Sequence, residues 1–184
     1  MKHIISLTII LLAGVFTASA KDGMALDPYR IDSITPDKKD VGSMDGIISA
    51  LYDVISGPAG QKRNWDRMRT LFIPEGRLIS TGIRADGTTG KRVMNVEDYI
   101  NSSGPFLEKM GFFEREISRK VDQFGGIVQV FSTYSAKKTE ADEKPFMRGI
   151  NSIQLWNDGK RWWIVTILWQ SETPDTPIPE KYLK

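Results

Sequence analysis

The chain contains no cysteine, and its one histidine is His3. Without cysteine there is no disulfide and no thiol chemistry. Beyond residue 3 there is no imidazole general base, no Ser-His-Asp triad and no histidine ligand for a metal. A zinc site needs Cys or His, so zinc is excluded. The glycines form neither G-x-G-x-x-G nor a phosphate-loop pattern, and no residue set calls for a cofactor or a metal. An excess of one charge is missing as well. The chain has 25 Lys and Arg against 23 Asp and Glu, interspersed along its length, which argues against nucleic acid and against an anionic membrane surface as partners. General acid or base work would fall to Asp, Glu, Tyr or Lys.

The one long hydrophobic run is Ile4 to Phe16. Lys2 and His3 precede it, and Thr17-Ala18-Ser19-Ala20 follows with an A-x-A pattern. This is the organisation of a secretory signal peptide; a membrane-spanning helix needs about 20 apolar residues. Cleavage after Ala20 is expected, with a periplasmic or secreted product that leaves the membrane once cleaved. The expected organisation is a signal peptide over 1–20, a flexible arm over 21–42, one folded domain over 43–171 and a Pro-rich tail over 172–184.

Within the domain the apolar period changes from helix to strand. Ser43 is a candidate N-cap for a helix reaching about Ile55, with Met44, Ile47, Ile48, Leu51, Val54 and Ile55 at helical spacing. A second helix is predicted from Trp65 to Phe72, stopped before Pro74. Arg77 to Ile83 reads as a strand and Asp86-Gly87 as a turn. Asn95 with Asp98 three residues on suggests a capped helix from Val96 to about Ile100, and Pro105 to Met110 a separate helical turn. Phe112 to Asp122 and Ile127 to Ala136 read as strands around Gly125-Gly126. Helices gathered before an antiparallel sheet predict an α+β fold, with a pocket where a curved sheet folds over the helices.

Residues 149–170 form the last hairpin, with Asp158-Gly159 as a two-residue turn signal. That register pairs Leu155 with Trp162, Ile153 with Ile164 and Asn151 with Thr166, and brings Gly149 against Leu168. The inner face then offers Ile153, Ile164 and Leu168 as walls, with Asn151 and Thr166 as its polar groups. These two either orient a ligand or satisfy one another across the strands. The outer face would carry Ile150, Trp163, Val165, Ile167 and Trp169. An apolar face of that size either pairs two copies of the chain or lies under the arm or the tail.

Two amphipathic helices, long strands and the closing segment Asp158, Gly159, Trp162, Ile164, Val165 resemble the nuclear transport factor 2-like (NTF2-like) superfamily, and within it the SnoaL-like proteins. The resemblance spans about Ser43 to Gln170. It implies a cone-shaped α+β fold with N-terminal helices packed in a curved antiparallel sheet, and no particular activity, since the superfamily holds isomerases, dehydratases, cyclases and non-catalytic binding modules. Many SnoaL-like members carry a pocket-facing His on the last strand. Thr166 and Leu168 are the matching positions here, which disfavours His-dependent dehydration.

Glu75, at the junction of the second helix and first strand, is the candidate carboxylate base if an apolar cavity surrounds it, and otherwise a solvated loop carboxylate. Tyr52 and Tyr99 could project hydroxyls into the cavity, Trp65 could form its floor, and Tyr134 is a wall candidate. Glu114 and Glu116 share one strand face and read as members of a cross-strand charge ladder. The expectation is a pocket for a small, mostly apolar ligand; the alternatives are a cofactor-free lyase or isomerase with a carboxylate base, and a homodimeric interaction module.

Overall fold

A computed structural model of the chain describes residues 34–83 and 87–184. The signal-peptide segment, most of the expected arm and Asp86 of the expected turn lie outside the described residues.

Asp37 caps a short helix, α1 (Lys38–Val41), in the stretch read as an arm, and Asp40 and Val41 are buried. Ser43 accepts from the Gly46 N–H at 3.0 Å and opens α2 (Met44–Ile55). Asn64 caps α3 (Trp65–Leu71) in the same way. The strands are β1 (Phe72–Ile83), β2 (Thr89–Met94), β3 (Phe113–Phe124), β4 (Ile127–Lys137), β5 (Met147–Asn157) and β6 (Trp162–Ser171). Between β2 and β3 runs α4 (Val96–Met110). Asn95 and Asp98 form a reciprocal capping box there, with bonds of 2.8 and 3.1 Å. The expected break inside α4 does not occur: Pro105 lies within a continuous 15-residue helix.

The six strands form one sheet in the order β2-β1-β6-β5-β4-β3. It is mixed rather than wholly antiparallel, because β1 runs parallel to β6. Its concave face packs on α2, α3 and α4 through Ile47, Ile48, Leu51, Met68, Leu71, Phe72, Val128, Val130, Ile153, Leu155 and Ile164, all buried. The α+β cone that the NTF2-like resemblance implies is the fold of this chain.

Two β-bulges set which side chains enter the cone. In β6, Leu155 pairs with Ile164 and Gln154 with Thr166, leaving Val165 as the extra residue. In β3, Glu116 pairs with Tyr134 and Ser118 with Thr133, leaving Ile117 extra. A strand alternates its faces with period two, so each extra residue exchanges the faces of everything beyond it. The hairpin loop is also longer than expected. Asn157 pairs with Trp162, so residues 158–161 form the turn. Gly159 (φ 88°) takes the left-handed position. The Asp158 carboxylate accepts from the Trp163 indole N–H and the Arg161 and Lys160 backbone N–H groups, each at 2.8 Å, which holds its pKa down to about 2.

The tail packs on the convex face of the sheet. Thr133 donates to the Tyr182 carbonyl at 2.6 Å, Ser118 to that of Lys184 at 2.8 Å, and the rings of Phe131 and Tyr182 lie 5.1 Å apart.

Candidate functional site

A cavity of about 290 Å³ lies between the concave face of the sheet and α4, roofed by α2. Its walls are largely apolar: Leu51, Ile55, Met68, Leu78, Leu107, Phe112, Met147 and Ile167. Phe106, 54 % exposed, stands at the mouth. Tyr99 of α4 meets Trp169 of β6 edge-on, with ring centroids 6.2 Å apart and planes at 87°. Tyr134 enters from β4 because its strand partner is Gly149: a Cβ there would stand 2.5 Å from the Tyr134 hydroxyl. The Tyr134 hydroxyl pairs with Ser171 at 3.2 Å.

Among the described residues, one carboxyl group enters this apolar space, that of Glu114. Its strand is anchored to the end of α2, where the Ser56 hydroxyl accepts from the Glu114 N–H at 3.0 Å and itself bonds to the Tyr52 carbonyl. The side chain is buried, and Oε1 accepts from Asn151 Nδ2 at 3.2 Å. That is its one side-chain hydrogen bond among the described residues. Burial removes water from the charged form and pushes the carboxyl pKa up to about 8, against a smaller opposing pull from Asn151. At neutral pH the group is therefore mostly a neutral acid. Burial, with the nearby Glu114 as a second cause, also raises Tyr99. Tyr134 is raised to about 12, again chiefly by burial.

From Asn151 a chain of hydrogen bonds leaves the cavity. Asn151 Nδ2 donates to the Tyr52 hydroxyl at 3.1 Å, Tyr52 and Ser132 are 2.6 Å apart, and Ser132 donates to Glu116 Oε2. Arg119 closes the chain, holding Glu116 Oε1 at 2.5 Å and Asp45 at 2.7 Å. Tyr52 and Glu116 also line a polar groove of about 600 Å³ behind α2, whose Arg67 is held by Asp40 and Asp53.

No protein-family model and no curated protein matches this chain. Solved structures do share its fold. A protein of unknown function with a cystatin-like fold from Nostoc punctiforme aligns with a TM-score of 0.54 at 9 % identity, over 71 % of this chain and 90 % of that one. An uncharacterized cystatin-like protein from Caulobacter vibrioides gives 0.52 at 11 %, over 73 % and 90 %. The Kfla4162 protein from Kribbella flavida gives 0.52 at 8 %, over 72 % and 90 %. At such identities the likeness carries the fold and nothing about activity.

The residues expected at the site divide into three groups. Asn151, Tyr99 and Tyr134 line the cavity, and Tyr52 reaches Asn151 from behind. Ile153 and Ile164 are packed core rather than cavity wall. The remaining four lie elsewhere. Glu75 is exposed on β1, its carbonyl taken by Arg77, and it is not the buried carboxylate. Trp65 is clamped between α3 and α4, its indole N–H donating to Glu108 at 3.0 Å and its ring against Gly104. Thr166 faces outward opposite Gln154, and Leu168 is exposed opposite Ser152, because the Val165 bulge turns both away. For the same reason Ile167 and Trp169, expected outside, face the cavity.

Glu114 is the carboxyl that enters the cavity, and the strand pattern alone does not separate it from its neighbours. Its signal is faint: an acid on a face that it shares with Glu116 and that, once the bulge is known, also carries Tyr134, Asn151 and Ile167.

Proposed function

We propose that this is an exported protein whose cavity takes a small, mostly apolar molecule carrying one neutral polar group. The observation that carries this reading is the apolar cavity ending in a single mostly neutral carboxyl, Glu114, beside Asn151. An anionic ligand would meet an apolar wall and a buried acid with no cation among the described residues lining the cavity, whereas a neutral polar group meets hydrogen-bonding partners. Export rests on Lys2, the apolar run from Ile4 and the Ala18-Ser19-Ala20 site. The test uses cyclohexanol and cyclohexanecarboxylate as probes, followed by the indole N–H resonance of Trp169. The alcohol should give a saturable shift that Ile167→Trp, which fills the cavity, abolishes. Equal shifts from the carboxylate, or shifts that survive the filling, count against the reading.

A second reading is favoured by the raised pKa of Glu114 next to two tyrosines. Here a SnoaL-like, cofactor-free isomerase or lyase would use Glu114 as the base, in place of the His that many SnoaL-like proteins carry. The ionised carboxylate would remove a proton from carbon next to a carbonyl, and Tyr99 or Tyr134 would donate to the oxygen that gains charge. The rate should rise with pH toward about 8, where the carboxylate form takes over. Deuterium uptake from D2O into cyclohexanone reads this directly; exchange unaffected by Glu114→Gln sinks it.

Self-association through the convex face is a further part of the proposal, restricted to what the tail leaves open. Ile167 and Trp169 point into the cone, and Ile150 lies in a groove shared with tail residues Pro177 and Ile178. Trp156, 43 % exposed, and Leu168 remain open, while Trp163 sits under the Arg161 guanidinium at 3.6 Å.

A further inference from the structure

We infer that Glu116, which does not line the cavity, sets which hydrogen-bonding atom Asn151 presents to Glu114 and to a ligand, acting through Ser132 and Tyr52. The available protons fix each bond in turn. A carboxylate only accepts, so Ser132 gives its single hydroxyl proton to Glu116. Ser132 can then only accept from Tyr52, so the Tyr52 proton points at Ser132 across 2.6 Å. The Tyr52 oxygen is left with lone pairs on the Asn151 side, and the Asn151 group facing it must be the N–H₂. That same nitrogen reaches Glu114 Oε1 at 3.2 Å. Each step is forced by the one before it, and the sequence begins at Glu116, which Arg119 holds in place.

The consequence falls on the ligand. With Nδ2 committed to Tyr52 and Glu114, the atoms left over are Asn151 Oδ1, an acceptor, and Glu114 Oε2, a donor while the carboxyl is neutral. Neither has a protein partner among the described residues, and both groups line the cavity. The complementary ligand group accepts from one and donates to the other. An alcohol or an amide satisfies both; an ether or an isolated ketone leaves Oδ1 unmatched. This deepens the proposed binding function and concerns the same end of the cavity.

The chain also predicts its own reversal. In Glu116→Gln the side chain has one acceptor and one donor group. Arg119 only donates, so it takes the new amide oxygen and turns the amide N–H₂ toward Ser132. Ser132 must now accept there and donate to Tyr52, and Tyr52 must donate toward Asn151. The Asn151 amide flips, placing Oδ1 between Tyr52 and Glu114. Glu114 can meet an oxygen only as its protonated form, so its pKa rises. Simple removal of a negative charge from the neighbourhood has the opposite sign, since it would ease ionisation of Glu114. The other titratable groups around Glu114 are Tyr52 on α2, Tyr99 on α4 and Tyr134 on β4, with Arg115 and Glu116 on its own strand; all are kept in the variant except Glu116.

The experiment is a ¹³C NMR titration of the Glu114 side-chain carboxyl in the intact protein, with no ligand present, so its outcome is independent of whether the binding function holds. Wild type should titrate near 8. Glu116→Gln should move the midpoint up by about one pH unit or more, a tenfold change in the ionisation constant. Ser132→Ala cuts the chain while leaving the Glu116–Arg119 pair, frees Asn151 to take either orientation, and should give a smaller rise. A midpoint in Glu116→Gln that stays put or falls overturns the inference, as does a Ser132→Ala midpoint equal to wild type.

Discussion

Glu114 spends free energy on being buried, and that cost is visible in pH. Its folded pKa of about 8 lies above the ordinary glutamate value of 4.5. Between those values the unfolded chain releases the proton and the folded chain keeps it, so unfolding is favoured as pH rises. The stabilising contribution of the neutral carboxyl is complete below about 4.5 and is lost as pH climbs toward 8. Urea denaturation of wild type should therefore show stability falling over that window by up to roughly 1.4 kcal/mol per pH unit. Glu114→Gln, which cannot ionise, should flatten that slope; an unchanged slope would mean that Glu114 is ordinary. Arg63 is also buried, with a different role. Its guanidinium donates to the carbonyls of Ile55 at 3.1 Å, Gln61 and Gly57 at 2.6 Å, and Leu107 at 3.0 Å, tying the α2–α3 loop to α4. Arg63→Ala strands these acceptors and should cost about 3 kcal/mol in the same assay. Neither role was legible from residue type. Glu75 and Glu114 are the same amino acid, and what distinguishes them is which way each strand faces.

At the scale of elements, the helices were legible because their signals are local. Ser43 caps α2, Asn95 and Asp98 box α4, and the apolar spacing of α2 is that of one buried face. The strands were legible as strands and not as faces. Period-two alternation carries facing only while no residue is inserted, and the inserted residues, Ile117 and Val165, are β-branched apolar residues of the kind found throughout regular strands. The two bulges build the site. In β3 the bulge lets Glu116 and Arg119 meet on one face at a separation of three. In β6 it turns Ile167 and Trp169 inward. Deleting Val165 restores strict alternation and would send Thr166 and Leu168 into the cone while expelling Ile167 and Trp169. The expected result is loss of the near-ultraviolet circular dichroism of the partly buried tryptophans and of a cooperative unfolding transition. A deletion variant that unfolds cooperatively with a native near-ultraviolet spectrum would show that the bulge does not set the face.

At the scale of the whole molecule, the described residues form a cone with an apolar cavity, a polar groove behind α2 and a strap over its back. The Pro-rich tail lies across the convex face and shields Phe131 and Thr133. Truncation after Ser171 uncovers those residues beside the already exposed Trp156 and Leu168. Sedimentation equilibrium should then report tighter self-association than the full chain shows; no difference would mean that the strap does not mask an association surface. The cone's fold accommodates many functions, so the account stands on the cavity rather than on the likeness to solved structures. The proposed function has this cavity admit a neutral, mostly apolar molecule and engage its polar group through Glu114 and Asn151. The most direct measurement is a crystal structure of the purified protein soaked with cyclohexanol. The account predicts the alcohol inside the cone, its hydroxyl within hydrogen-bond reach of Glu114 Oε2 and Asn151 Oδ1. A cavity filled by Phe106 or Trp169, or an alcohol bound only on the outer face, would contradict it.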